Sequence, residues 1–434
     1  MPDASDALER MEGEGSMPEM ISLEDARAIV LDHVGLMPCE TVPVLESVGR
    51  VVSSDIASDI DVAPFPHSAM DGFAVRCADL EQATASDPVI LDVIAEEAAG
   101  ELYDGPLASG QCVRIMTGAP LPAQADSVVK YEIVETVSGD GKTGSRVSFR
   151  ASTSCRSNVR EAGEEAKAGE TIVRAGEVVG SAGVGFLASC GAVEVPTYAR
   201  PRVAIIATGS ELVPPTERPA PGKIRNSNSY ALAACVQQAG SVPDIRPIVC
   251  DTFEALCSAV RDAAADHDFV ITTGGAANGD FDFIKPVVQD LGDLLITTVN
   301  MRPGKAQTFG VVSGVPVFGL PGNPAAAYVG FHMLIRPALR KMQGYSAFEH
   351  AKVVARLSRD VKKRDPRRFY MRATLTKNEQ GEYVVLPAEN QSSGLFGVIQ
   401  HSNCMAILPE GAHGRTAGSP IECLLLDIPE ELIL

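Results

Sequence analysis

Apolar residues recur at gaps of three and four at Leu23, Ala26, Val30 and Val34, which is one stripe of an amphipathic helix. Ser22 stands before it as an N-cap, with Asp25 in the capping-box position. From Val42 to Val62 the pattern turns to short β-prone pieces, followed by a loop over residues 63–71 that feeds a strand near Val75. Residues 86–165 predict an all-β module, with Val/Ile runs at 89–94, 127–137 and 146–149 between Gly, Pro, Asp and Ser clusters. Ser138-Gly139-Asp140-Gly141-Lys142 has the composition of a hairpin tip. Residues 169–195 are again punctuated by glycine, around a helical centre.

The texture changes at Pro201. Continuous apolar runs at 203–207, 268–272 and 316–320 alternate with helical stretches, one of them starting near Ser229. That alternation predicts an α/β domain with a mostly parallel sheet. The runs end in Thr208-Gly209-Ser210-Glu211, Thr273-Gly274-Gly275 and Pro321-Gly322-Asn323-Pro324, and ligands of such sheets bind at the carboxyl ends of strands. After Met342 short strands return (351–357, 369–375, 383–386, 404–408, 421–426), which suggests a small β-barrel or sandwich. No fixed-period repeat is visible.

A chain of 434 residues exceeds one core, so two to four domains are expected. Lys and Arg number 37 against 56 Asp and Glu, a net charge of −19 that disfavours nucleic acid or an anionic membrane as partner. The absence of Trp removes one stacking platform for single strands. An anionic small substrate would therefore need its cations gathered locally. The ten cysteines are scattered without a CxxC pair, so they read as small buried hydrophobes in a reducing compartment, and a zinc or iron–sulfur site is not expected. The first twenty residues read as a disordered tail rather than a signal peptide, and no apolar run is long enough to span a bilayer, so the expected location is the cytoplasm.

Pro321-Gly322-Asn323-Pro324 can place Asn323 as N-cap and Pro324 as first helical residue, with Gly322 letting a ligand approach the backbone. A helix start of that kind offers N–H groups to an anion. Taken alone it is more often a plain strand-to-helix turn. Arg302-Pro303-Gly304-Lys305 is a solvated loop by itself and a phosphate clamp beside such a helix start. Glu211, Asp251 and Asp282 follow strands, where they either cap helices or hold a hard cation such as Mg²⁺ against a diphosphate. Nothing local marks Thr117, Glu165, Arg372 or Ser393 as functional, and His67 and Met70 are most simply structural.

Taken in order, 68–75 (Ser-Ala-Met-Asp-Gly-Phe-Ala-Val), 115–120, 162–165, 207–212, 272–282, 303–305 and 319–324 resemble the MoeA/gephyrin E-domain family over nearly the whole chain from about residue 20. The resemblance implies a multidomain α/β plus β fold. Its parts would be an elongated mixed domain (21–65 and 166–200), an inserted β domain (66–165), a MogA-like α/β pterin-binding domain (201–344) and a C-terminal β-barrel (345–434). It implies a homodimer that inserts molybdate into adenylylated molybdopterin with Mg²⁺ and releases AMP. A MogA-type adenylyltransferase would stand upstream and apo-molybdoenzymes downstream. Carried over by position, Thr117 and Glu165 would form a partner-side wall, and Glu211, Asp251 and Asp282 the magnesium cluster. Arg302, Lys305, Gly322 and Asn323 would hold phosphate, and Arg372 and Ser393 the oxyanion. The chain departs from the family pattern at Pro66, His67, residues 276–279, Thr298 and Arg302, the last two standing where lysines are usual. A tungstate-inserting paralogue, a molybdopterin adenylyltransferase and a non-catalytic cofactor-binding scaffold are the alternative readings.

Overall fold

The computed structural model describes residues 20–275 and 283–426, and the chain divides into two compact units. One comprises residues 41–48 and 52–196; the other comprises the residues up to 40, 49–51 and those from 197 onward.

The second of these units is built on a six-stranded sheet in the order Val242–Ile245, Arg202–Ala207, Phe269–Thr273, Val315–Leu320, Ala306–Val312, Gly292–Thr298. The first four strands run parallel and the last two are antiparallel additions. Val203, Ala204, Ile205, Ile206 and Ala207 are all buried, because helices cover both faces of this strand. A fully buried Val or Ile contributes about 1.5–3 kcal/mol. Helices Asn228–Gln238, Phe253–Asp266 and Ile284–Leu291 supply the cover, with a long helical run that begins at Pro324 and ends at Met342.

The leading helix, Leu23–Asp32, buries Leu23, Ala26 and Val30 in this same core. Ser22 accepts a hydrogen bond from the Asp25 N–H, but the Ser22 hydroxyl donates to the Asp25 carboxylate, so the reciprocal half of the expected capping box is replaced by a side-chain pair. Strands Lys352–Leu357, Arg368–Lys377, Tyr383–Pro387, Cys404–Leu408 and Pro420–Leu425 close into a barrel, because Arg368–Lys377 pairs with both Tyr383–Pro387 and Cys404–Leu408.

The other unit contains a second six-stranded sheet, formed by Val89–Glu97, Gln111–Ile115, Gly72–Val75, Ser127–Lys130, Arg146–Phe149 and Glu135–Ser138. The run expected over 127–137 is broken by a tight turn at Tyr131–Ile133. The hairpin tip has Gly139 and Gly141 at positive φ, and the Ser145 hydroxyl accepts the N–H groups of Asp140 and Gly141. Ile56–Ala57 pairs with Thr171–Val173, and Val42, Val52, Ile56, Val179, Leu187 and Val195 share a small core. Among the described residues no helix is long and apolar enough to cross a membrane.

Candidate functional site

Three strands of the α/β sheet end side by side. The Thr208 N–H donates to Thr273 O at 3.0 Å, and the Gly274 N–H to Leu320 O at 3.2 Å. Asn228 ties two of the tips, its Nδ2 donating to Thr273 Oγ1 at 2.8 Å and to Gly322 O at 2.9 Å. Gly274 has φ +93°, and a Cβ there would lie 2.0 Å from Thr208 O, so only glycine allows the tips to meet. At Gly322 a Cβ would meet only Gly274 Cα, at 3.6 Å, and the residue is exposed. The protein itself therefore does not require glycine at 322.

On the first tip, Asp251 braces the Thr208-Gly209-Ser210 turn. Its Oδ1 accepts the Thr208 hydroxyl at 2.6 Å and its Oδ2 the Ser210 N–H at 2.7 Å. Glu211 is exposed and folds back over Gly209, where a Cβ would come within 2.6 Å of Oε2. Of the three carboxylates proposed from sequence, Glu211 thus sits on this turn and Asp251 braces it. Asp282 lies outside the described residues. Both carboxylates at the turn are hard oxygen donors of the kind Mg²⁺ selects. Each Asp251 oxygen accepts one hydrogen bond and keeps a further lone pair.

Beyond the third tip lies a cleft of about 540 Å³ lined by Arg302, Lys305, Gly322, Asn323, Arg367 and Ser393 among others. The Arg302 guanidinium carbon lies over the Phe369 ring, 4.5 Å from its centre, in a cation–π contact. Arg367 pairs with Asp365 through Nε at 2.9 Å, and holds that carboxyl well below its ordinary range, at about 2. Behind the wall, Arg372 is 1% exposed. Its Nη2 donates to Ser392 O at 3.0 Å, while Nε and Nη1 have no partner. Burial first, and then the neighbouring charge of Arg302, push this guanidinium down to about 10. Among the described residues no carboxylate pairs with it. An unpaired buried cation is costly.

The helix start differs from the sequence expectation. Asn323 occupies the N-cap position with extended backbone, but its side chain makes no capping hydrogen bond, and Pro324 has no N–H. The Ala325 N–H donates to Ser393 O at 2.8 Å, and those of Ala326 and Ala327 to Asn323 O at 3.0 Å. The N–H groups expected to face an anion are therefore occupied there, and the cleft's positive character comes from side chains. Sequence reasoning missed Arg367, Phe369 and Gln391. Gln391 clasps the 388–393 loop to the barrel by accepting the Arg372 N–H at 3.1 Å and donating to Arg372 O at 2.8 Å. The run Arg364-Asp365-Pro366-Arg367-Arg368 was the available signal for the extra cation.

The remaining two residues sit in the other unit. Thr117 donates from both N–H and hydroxyl to Asp71 Oδ1, at 2.7 and 2.8 Å, and these bonds hold the Asp71 carboxyl below its usual range. The loop before it is laced to the same turn, since the Gly118 N–H donates to Ser68 O and the Ser68 N–H to Ala119 O. Glu165 is exposed, and its N–H donates to Val62 O at 3.3 Å. Asp71 is a further polar group of this region that sequence reasoning did not single out.

A mostly parallel sheet with glycine-rich tips, cations gathered at one edge and β modules before and after it define a multidomain α/β plus β protein. Three family models match this chain. They are the MoeA N-terminal region (domain I and II) over residues 21–191, a probable molybdopterin binding domain over 204–341, and the MoeA C-terminal region (domain IV) over 354–426. A molybdopterin molybdenumtransferase of Staphylococcus epidermidis is 35% identical over 90% of this chain and 92% of its own length. One of Staphylococcus aureus is 34% identical over 95% and 98%. The crystal structure of a molybdopterin biosynthesis MoeA protein from a Pyrococcus species superposes with a TM-score of 0.80 at 31% identity, covering 94% of this chain and 99% of that one. The chain belongs to the MoeA family.

Proposed function

We propose that this chain is a transferase of molybdenum cofactor biosynthesis that carries out the molybdenumtransferase reaction for which its relatives are named. Adenylylated molybdopterin and molybdate are the substrates. Water attacks the phosphoanhydride and AMP leaves, while molybdate exchanges one oxo group, released as water with the two dithiol protons, for the two dithiolene sulfurs.

The observation that carries this reading is Arg372, buried with two nitrogens unpartnered and with Arg302 as its charged neighbour. A tetrahedral dianion satisfies such a donor set, and Ser393 lines the cleft in front of it. Arg302, Lys305, Gly322 and Asn323 hold the substrate phosphate. Lys305 is exposed and can reach a phosphate as a point charge, whereas Arg302 is held over the Phe369 ring. Glu211 and Asp251, with Asp282 from outside the described residues, would hold Mg²⁺. When bound, the cation neutralises the diphosphate as AMP departs. Asp251 keeps the Thr208-Gly209-Ser210 turn in position for that step. Thr117 and Glu165 serve from the partner subunit of a homodimer. A MogA-type adenylyltransferase supplies the substrate, cytoplasmic apo-molybdoenzymes take the product, and magnesium is required.

The test is an assay of AMP release from adenylylated molybdopterin, with Mg²⁺ and either molybdate or tungstate, on the chain and on Glu211→Gln. Release by the wild type and a drop of about tenfold or more in the variant, without change in melting temperature, are expected. Pterin binding without AMP release would replace the reading with a scaffold. Product formation that needs ATP would replace it with an adenylyltransferase.

A further inference from the structure

The inserted β module brings together chemistry that the proposed reaction does not use. Cys77 Sγ, a carboxylate oxygen of Asp126 and Cys155 Sγ all lie within 4.8 Å of one another. Cys77 is buried just past the Gly72–Val75 strand, Asp126 is half-buried just before Ser127–Lys130, and Cys155 is exposed on the turn that follows Arg146–Phe149. Their separation in sequence is why no metal-ligand spacing was visible there.

The three segments are fixed to one another by backbone. The Asp126 N–H donates to Val75 O at 3.0 Å, the Cys77 N–H to Asp126 Oδ1 at 2.7 Å, and the Arg156 N–H to Asp126 O at 2.7 Å. The Ser127 hydroxyl adds a bond to Ser154 O at 3.1 Å. Arg156 and Asn158 take left-handed φ values of 64° and 54°, which turn the chain so that Cys155 faces the other two ligands. The positions are thus set by the fold rather than by flexible side chains alone.

We propose that Cys77, Asp126 and Cys155 form a binding site for a thiophilic divalent cation of the zinc class, with water as fourth ligand. A tetrahedral zinc with sulfur ligands at about 2.3 Å places two sulfurs about 3.8 Å apart, so a contraction of less than about 1 Å completes the site. Binding releases the two thiol protons as both cysteines become thiolates, and no electron moves. A disulfide between the two cysteines would be formed without any use of the adjacent carboxylate. The exposed Cys155 gives the ion its way in from solvent. The bound ion ties the strand end, the 126 turn and the 153–158 turn into one body.

The experiment uses the full chain, stripped with chelator and titrated anaerobically with Co²⁺, which reports thiolate ligation by a charge-transfer band. One equivalent should bind with that band, and Zn²⁺ should bleach it. Cys155→Ala, on the exposed turn, and Asp126→Asn should each weaken Co²⁺ binding at least about tenfold with the fold retained by circular dichroism. Cys250→Ala, at another exposed cysteine, should change nothing. A wild type without the band, or a band that persists at equal affinity in Cys155→Ala, overturns the assignment.

Discussion

On the acidic turn of the α/β sheet, each oxygen of Asp251 already has a donor, and the turn it braces is complete as protein. On a strand of the C-terminal barrel, Arg372 has one hydrogen bond from its guanidinium, two unpartnered nitrogens and another arginine for a charged neighbour. The acidic side is organised by internal hydrogen bonds, whereas the cationic side holds a buried charge that no carboxylate among the described residues balances. The difference shows which charge the fold leaves uncompensated. Carboxylates that already accept N–H and O–H bonds are held in place without strain, but a desolvated guanidinium without a counter-ion raises the energy of the folded chain. Against the −19 net charge, Arg302, Lys305 and Arg367 are gathered along the lining of one cleft.

The largest effect expected from breaking this contrast is at Arg372. Arg372→Met removes the buried charge and keeps much of the volume. Turnover should fall by about 10²–10³-fold, the range for losing a donor to an oxyanion, and the KM for molybdate should rise. The melting temperature should stay level or rise, because replacing an uncompensated buried ion by an apolar side chain is neutral or favourable. Loss of stability together with intact turnover would mean that the guanidinium serves the fold and not the ligand.

A smaller effect separates the two glycines of the tips. Gly274→Ala adds a Cβ 2.0 Å from Thr208 O at φ +93°, and should lower the melting temperature by about 5 °C or more while spreading the acidic turn away from the cleft. Gly322→Ala meets nothing closer than 3.6 Å and should leave stability within about 1 °C, while lowering affinity for the phosphorylated pterin. Calorimetry with substrate-binding measurements on both variants separates packing from ligand approach. Equal destabilisation at both positions would dissolve the distinction drawn between them.

Much of this arrangement was legible before the structure. The parallel strands announce themselves as continuous apolar runs, and glycine and proline mark their ends, because buried strands and positive-φ turns have few compositional solutions. The two antiparallel strands Gly292–Thr298 and Ala306–Val312 escaped, since Thr297, Thr298, Gln307 and Thr308 interrupt their apolar pattern. Gln307 is nonetheless fully buried, with its Nε2 donating to Gly304 O. The destination of the Leu23–Asp32 stripe was equally hidden, because periodicity names the buried face but not the surface it meets. For the site, spacing alone gave Thr117, Arg372 and Ser393 no distinction, and only the family resemblance raised them. The occupied N–H of Ala325 could not have been read from any motif, since its acceptor is the backbone of Ser393, far along the chain.

The smallest effect concerns the one acid that belongs to the cationic side. Asp365 is paired with Arg367, which holds its carboxyl at about 2, below the ordinary value of 3.8. A carboxyl depressed in the fold binds fewer protons there than in the unfolded chain, so its contribution is fully present above about pH 4 and is lost as pH falls through about 2. The pair is partly exposed, and solvent screening limits its worth to that of a surface ion pair. Asp365→Asn should therefore lower the melting temperature by about 1 °C at pH 7, with the difference from wild type shrinking between pH 4 and pH 2. The same variant frees Arg367 toward the cleft and should tighten sulfate or phosphate binding severalfold, which competition titration measures. A variant that weakened anion binding would show instead that Asp365 orients Arg367 for the ligand, and the acid would then belong to the cleft's binding function rather than stand as an exception to it.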